Sequence, residues 1–292
     1  MNQIMRTNII GAAQYAMEAH KSALVSFISF ISSNRGNEHN IEHIGTGFFY
    51  TSETGINLLI TANHVIEQLL KSPNPYCSIL LGDNKLGNSE FYLYSVFKLK
   101  FHMDSRTDIA YCIVDENFLR EIDIAIFSSR DRSILRRPKS FRSTIVDGGK
   151  IEDEYIFGFH ASNNIRKLNF QGYKRNSSKY QIRRIHDVSK DVSVLTSIKN
   201  PIFLYFDRKD MLSVNDDDFI KTKFQITRQH FTKIGNSPDW AGMSGSPYIN
   251  VYTTENDQLY LRVSGILVEH LYAPPANGRY LVASPLENIV NS

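Results

Sequence analysis

The chain has 292 residues, a formal net charge of +3 and a 42% share of hydrophobic residues. That is enough apolar material for one large core or two modest ones, and it excludes a globally disordered chain. So small a net charge gives no general drive toward nucleic acid, and no run approaches the roughly 18 apolar residues of a membrane span.

The opening stretch "MNQIMRTNIIGAAQYAMEAHKSALVSF" breaks its apolar residues with Arg6, Glu18 and Lys21, so it reads as no signal peptide. Residues 12–20, "AAQYAMEAH", have the propensity of a short helix. Beyond them helix signals thin out. Short Val-, Ile-, Phe- and Tyr-rich runs recur between polar turns: "ALVSFISFI" (23–31), "TGFFYT" (46–51), "NLLITA" (57–62), "YCSILLG" (76–82), "FYLYSVFKLKF" (91–101) and "IAYCIV" (109–114). After residue 128 come "SFRSTIV" (140–146), "YIFGF" (155–159), "NPIFLYF" (200–206), "KFQIT" (223–227), "SPYINVY" (246–252) and "LYLRVSGILV" (259–268). This pattern predicts an all-β protein, sandwich or barrel. "HVIEQLLK" (64–71) suits a short helix. So does the C-terminal "SPLENIVNS", with Ser284 as cap and Pro285 at the first helical position.

The basic, proline-containing stretch 128–142 reads as a connector between two β units, and 161–200 is a second weakly patterned region. The expected organisation is an N-terminal helical extension (1–21), a first β unit (22–127), a connector (128–150) and a second β unit (151–292) with an insertion near 161–200. Cys77 and Cys112 are the only cysteines. They form no disulfide framework, and with no signal peptide they point to a reducing cytoplasm. The nine histidines are scattered and no HExxH occurs, so no metal or other cofactor is expected. "GDNKLGN" (82–88) lacks the order of a phosphate-binding loop.

Three short motifs carry the chemistry. His64 directly follows the strand "LLITA", where a histidine is by itself most simply a capping or packing residue. Asp108 opens the apolar run "IAYCIV", where an aspartate is by itself a turn residue. Asp123, in "IDIAIFSS", is a near-duplicate and a rival carboxylate; the spacing and the cleaner strand favour Asp108. Ser244 lies in "AGMSGSPY" between Gly242 and Gly245, on backbone permissive enough to present a hydroxyl outward. A serine hydroxyl needs a base within reach, histidine titrates near working pH, and a carboxylate fixes the imidazole tautomer. The Gly242 and Ser244 amides can converge on an oxyanion.

In these residues the chain resembles the trypsin/chymotrypsin-like serine peptidases. "LLITANHV" is similar to their histidine motif, "DIAYCIV" to their aspartate motif and "GMSGSP" to their nucleophile motif. "GTGFFY" (45–50) and "VSGILV" (263–268) are similar to the strands before the histidine and after the serine. Asn63, the lack of a cysteine after His64 and the "GSP" ending are closer to the bacterial HtrA-type and glutamyl-endopeptidase branches than to secreted animal trypsins. The resemblance covers roughly residues 22–290. It implies two six-stranded antiparallel β-barrels with the active site in the cleft between them. His64 and Asp108 would come from the first barrel and Ser244 from the second.

No "IVGG"-like segment precedes the first barrel, so the family's zymogen switch is not expected, and no PDZ-like extension is expected after residue 290. The resemblance assigns the primary pocket to Pro238 and Asp239 on one side and Val268, Glu269 and His270 on the other. Asp239 or Glu269 facing inward would favour a basic residue at the cleavage site, and His270 an acidic one.

The implied activity is a serine endopeptidase acting through an acyl-enzyme on a protein or peptide substrate. An intracellular protease without a pro-segment suggests regulated use, with a regulatory partner or a dedicated target, as in stress response or bacterial antiphage defence. Two other readings compete. One is a protease-shaped scaffold without activity. The other is a binding module, because "IRKLNFQGYKRNSSKYQIRR" (165–184) interleaves basic and aromatic residues as nucleic-acid sites do; the low net charge disfavours it.

Overall fold

A computed structural model describes residues 11–17, 19–32, 38–83, 89–128, 139–142, 149–160, 166–169, 180–185, 202–205, 213–214, 240–254, 258–273 and 278–290. Among them the protein is mostly β, with few helices. The first sheet holds β1 (Leu24–Ser32), β2 (Glu38–Thr51), β3 (Asn57–Ala62), β4 (Pro75–Asp83), β5 (Ser89–Ser95), β6 (His102–Asp104) and β7 (Ile109–Ile113), in spatial order β5-β4-β1-β2-β3-β7-β6. Two short strands from later in the chain, β8 (Phe141–Arg142) and β10 (Arg166–Asn169), also pair with β2. The second sheet runs β12-β16-β15-β14-β9-β11-β13. Its strands are β9 (Lys150–Phe159), β11 (Tyr180–Ile185), β12 (Ile202–Tyr205), β13 (Ser213–Val214), β14 (Pro247–Thr253), β15 (Leu259–Ala273) and β16 (Gly278–Pro285).

Pairing is antiparallel throughout except between β2 and β8. The sheets thus have nine and seven strands, and neither closes on itself through a backbone ladder among the described residues. The family resemblance implies six strands in each half. Segments as short as β10 and β13 carry no run of their own and become strands only by adding to an edge or end that already exists.

Several runs are continuously apolar because both faces of their strands are covered. In β9, Tyr155, Phe157 and Phe159 face a cluster between the sheets, while Ile156 faces the far side of the second sheet with Trp240, Met243 and Tyr248. In β3, Leu58 and Ile60 join the inter-sheet cluster, and Leu59 turns into the interior of the first sheet with Phe27, Ile79 and Cys112. Each fully buried aromatic of this kind contributes roughly 1.5–3 kcal/mol. The two layers are therefore held across a shared apolar seam.

Helix α1 (residues 11–17) sends Ala13 and Met17 into the seam. Helix α2 (Asn63–Leu70) follows β3 without a break and buries Val65, Ile66 and Leu69. Helix α3 (Glu116–Ser128) packs Phe118 and Ile122, one helical turn apart, onto the first-sheet interior. The sequence reading gave this helix no element. Its apolar segment "IDIAIF" reads equally as a short strand, and only the surface available for packing decides. At the C-terminus the helix is confined to Glu287–Val290, because β16 extends through Pro285. Ser284 is accordingly a buried strand residue paired with Ile266 rather than a helix cap. No helix among the described residues is long and apolar enough to cross a membrane. The run 223–227 lies outside the described residues, as do residues 170–179 of the basic–aromatic segment.

Both thiols are free and buried. Burial pushes Cys112 up to about 12, and burial together with the neighbouring Cys112 pushes Cys77 well above its ordinary value. Neither cysteine is expected to react with Ellman's reagent at pH 8 in the native protein, and both are expected to react in guanidinium. Fast titration of either thiol in the native state would show that the first-sheet interior opens.

Candidate active site

The site begins with a helix end that lacks a cap of its own. Ala62, the N-cap of α2, has no side chain to satisfy the first amides of the helix. Asp108 supplies what is missing from across the sheet. Its carbonyl accepts the Asn63 N–H at 2.9 Å, and its carboxylate Oδ1 accepts the His64 N–H at 3.0 Å. A carboxylate is favoured there because the helix dipole presents its positive end. The other oxygen, Oδ2, is 2.7 Å from His64 Nδ1.

One side chain therefore grips both the backbone and the ring of His64. Facing a carboxylate, Nδ1 carries the proton, which leaves the lone pair on Nε2. The reach is short because β3 and β7 are paired with Ala62 opposite Ile109, which sets the residues after one strand beside those before the other. Asp108 adopts φ +53°, a left-handed conformation that aspartate tolerates better than most residues. The turn before it is pinned by Asp104, whose carboxylate accepts the Arg106 N–H at 3.0 Å and the Thr107 hydroxyl at 3.1 Å. The rival Asp123 sits on α3, and the ring nitrogen of His64 bonds Asp108.

Ser244 occupies a turn between Trp240 and β14, with Gly242 at φ +83° and Gly245 at φ +86°. The turn is tied to both sheets. The Thr46 N–H of β2 donates to the Ser244 carbonyl at 2.8 Å, and the Gly245 N–H donates to the Leu267 carbonyl of β15 at 2.7 Å. It also lies hard against the segment that delivers His64. A Cβ on Gly245 would overlap the Thr46 carbonyl and the Thr61 hydroxyl and stand 3.0 Å from the Ala62 nitrogen. A Cβ on Gly45 would crowd both Val65 of α2 and the Ser244 carbonyl. The serine turn and the start of α2 are thus neighbours across the rim of the seam.

The Ser244 side chain is partly exposed, and its hydroxyl has no hydrogen-bond partner among the described residues. The His64 side chain is 41% exposed, so its ring has room to close on a bound substrate. The Gly242 and Ser244 amides have no hydrogen-bond partner among the described residues, whereas the Met243 N–H is used by the Trp240 carbonyl at 3.0 Å. Two amides without a partner among the described residues thus flank one that has one.

Of the residues assigned to the primary pocket, Pro238 and Asp239 lie outside the described residues. Val268 is buried in the first-sheet apolar cluster, and the backbones of Glu269 and His270 pair with Val282 and Leu281. Sequence reasoning passed over Ser26, His43 and Thr46, which lie beneath the serine turn. The available signal was a histidine and a threonine within an otherwise apolar strand, "HIGTGFFY".

On the triad reading proposed below, Asp108→Asn is expected to lower kcat on the order of 10⁴-fold with little loss of stability. The amide oxygen can still accept the His64 backbone N–H, but its NH₂ would face Nδ1 and force the proton onto Nε2. Asp108→Ala should also lose the cap and cost about 1 kcal/mol more. Kinetics beside urea unfolding would separate the two roles.

No protein-family model and no curated protein matches the chain in sequence. Among solved structures it is similar to an HtrA-type protease, AlgW with a tripeptide, at 12% identity and a TM-score of 0.43, over 95% of this chain and 61% of that one. The chain thus aligns with less than two thirds of that protein's length, and a likeness so distant carries no argument about activity.

Proposed function

We propose that the protein is a chymotrypsin-like serine endopeptidase in which Ser244, His64 and Asp108 form the catalytic triad. The observation that carries this reading is the double grip of Asp108 on His64, set beside a serine turn bonded to both sheets. A carboxylate that only capped α2 would not need its second oxygen on the ring.

In the proposed cycle the substrate carbonyl sits over the Gly242 and Ser244 amides. His64 Nε2 takes the Ser244 proton as Oγ attacks, and Asp108 stabilises the imidazolium that forms. The tetrahedral intermediate collapses to an acyl-enzyme as His64 returns the proton to the leaving amine. Water, deprotonated by the same nitrogen, then releases the acid and restores the serine. No metal or cofactor is required for these steps.

The two buried free thiols support a reducing compartment. Regulated action on a particular protein target belongs to the same proposal. Peptide-library profiling of the wild type beside Ser244→Ala tests it. A defined cleavage pattern lost in the variant supports the reading, and equal cleavage by both removes Ser244 from the mechanism. A folded wild type that cleaves nothing and resists a fluorophosphonate would favour the inactive scaffold.

A further inference from the structure

The carbonyl of Gly242 points inward and meets two donors from β2 of the other sheet. His43 Nε2 is 3.0 Å from it and Thr46 Oγ1 is 2.9 Å from it. Both residues are buried, His43 at 5% exposure and Thr46 at 0%. His43 Nε2 also lies 3.2 Å from the Phe159 carbonyl, and facing two carbonyl oxygens it must carry a proton. In the neutral ring Nδ1 is then an acceptor, and Ser26 Oγ, 2.7 Å away on β1, donates to it. Thr46 Oγ1 accepts the Phe159 N–H at 3.0 Å, which leaves its own proton for Gly242. Ser26, His43 and Thr46 have no part in the proton transfers proposed above. Buried polar groups satisfied this completely rigidify what they touch.

What they touch is the peptide unit between the two oxyanion donors. The chain runs from the Gly242 amide, through the Gly242–Met243 peptide, to the Ser244 amide. The middle peptide is held at both ends: its carbonyl by His43 and Thr46, and its N–H by the Trp240 carbonyl. Glycine visits positive and negative φ with similar ease, so Gly242 at +83° needs an outside restraint to stay there. The restraint comes from the sheet that also carries His64 and Asp108. The oxyanion donors are thereby registered to the base rather than to their own sheet alone.

We propose that Ser26, His43 and Thr46 form an inter-sheet clamp on the Gly242 carbonyl that presets the oxyanion site. All three are positioning residues, and the proposal rests on the protease reading above. Oxyanion donors act on the transition state far more than on bound substrate, so loosening them lowers kcat and leaves KM nearly unchanged.

The test uses the full-length protein and the best peptide from library profiling. Thr46→Val, which keeps the shape and removes the hydroxyl, is expected to lower kcat about 10-fold at constant KM. Combined with His43→Leu the loss should reach about 10²-fold, the lower end of what deleting an oxyanion donor costs. A peptide aldehyde of the same sequence, which needs the oxyanion site, should bind more weakly by the same factors. The corresponding peptide amide should bind unchanged to Ser244→Ala with or without the clamp substitutions. Thr46→Ser and His43→Gln, which restore donors, should recover most of the activity.

If His43→Leu does not fold, the Thr46→Val and Thr46→Ser pair carries the same comparison. Folded Thr46→Val with wild-type kcat and aldehyde affinity overturns the clamp while the protease reading stands. So does a loss carried in KM that Thr46→Ser does not repair. A wild type that neither cleaves nor labels overturns the protease reading and the clamp together.

Discussion

Ser244→Ala is expected to lower kcat by roughly 10⁶-fold, with KM and folding stability close to wild type. The large factor reflects a unit rather than a single bond. Without Oγ the acyl-enzyme cannot form, and a precisely oriented His64 and Asp108 have nothing to activate except water. What remains is the contribution of substrate binding and the oxyanion donors. The small effect on stability follows from the position of the side chain. It is partly exposed and its hydroxyl has no partner among the described residues, so its loss leaves no cavity and no orphaned donor. Steady-state kinetics, urea unfolding and mass spectrometry of a fluorophosphonate adduct would check all three parts. An adduct that persists in the variant would place the reactive hydroxyl elsewhere.

Gly245→Ala should be the most damaging single methyl group among the described glycines. Two costs add. At φ +86° an alanine pays about 1–2 kcal/mol for the left-handed backbone. Its Cβ would also overlap the Thr46 carbonyl, which belongs to a central strand and cannot swing aside. The expected loss exceeds about 3 kcal/mol, and any folded fraction should be inactive, because relieving the overlap pushes the Ser244 turn off β2. Gly55 provides the control. Its φ is +81°, but a Cβ there meets nothing within 4 Å, so Gly55→Ala should cost only the dihedral term. Equal stability for the two variants, measured by urea unfolding, would show that close packing of the serine turn is not what fixes it.

The strands were legible where the chain is apolar over its full length. "NLLITA" delimits β3 to the residue, since a strand covered on both faces needs no polar alternation and ends where solvent-compatible residues resume. β2 was legible only in its second half. Five of its first seven residues, "EHNIEHI", are polar, and the segment becomes strand by pairing with β1 on one side and, at Glu38–Ile41, with β10 on the other. Helix α3 was not legible because its packing surface, the first-sheet interior, is assembled from β1 to β5 and β7, most of them distant in sequence. The candidate residues His64, Asp108 and Ser244 could be picked out because each sits in a local motif of a few residues. The pocket assignment had no such motif behind it, since which wall a strand residue joins depends on the way its side chain faces.

The sequence by itself determined the β character of the chain, the short helix after "LLITA", and the residue types able to carry acyl transfer. Each depends on local stereochemistry or on the reactivity of single side chains. Tertiary structure alone decided that Asp108 caps α2 while it holds the His64 ring, and that Thr46 binds the serine turn from the opposite sheet. These bonds join residues 44 to 196 positions apart. Bonds over such separations exist only after the apolar seam has paid the entropy of bringing the two sheets together.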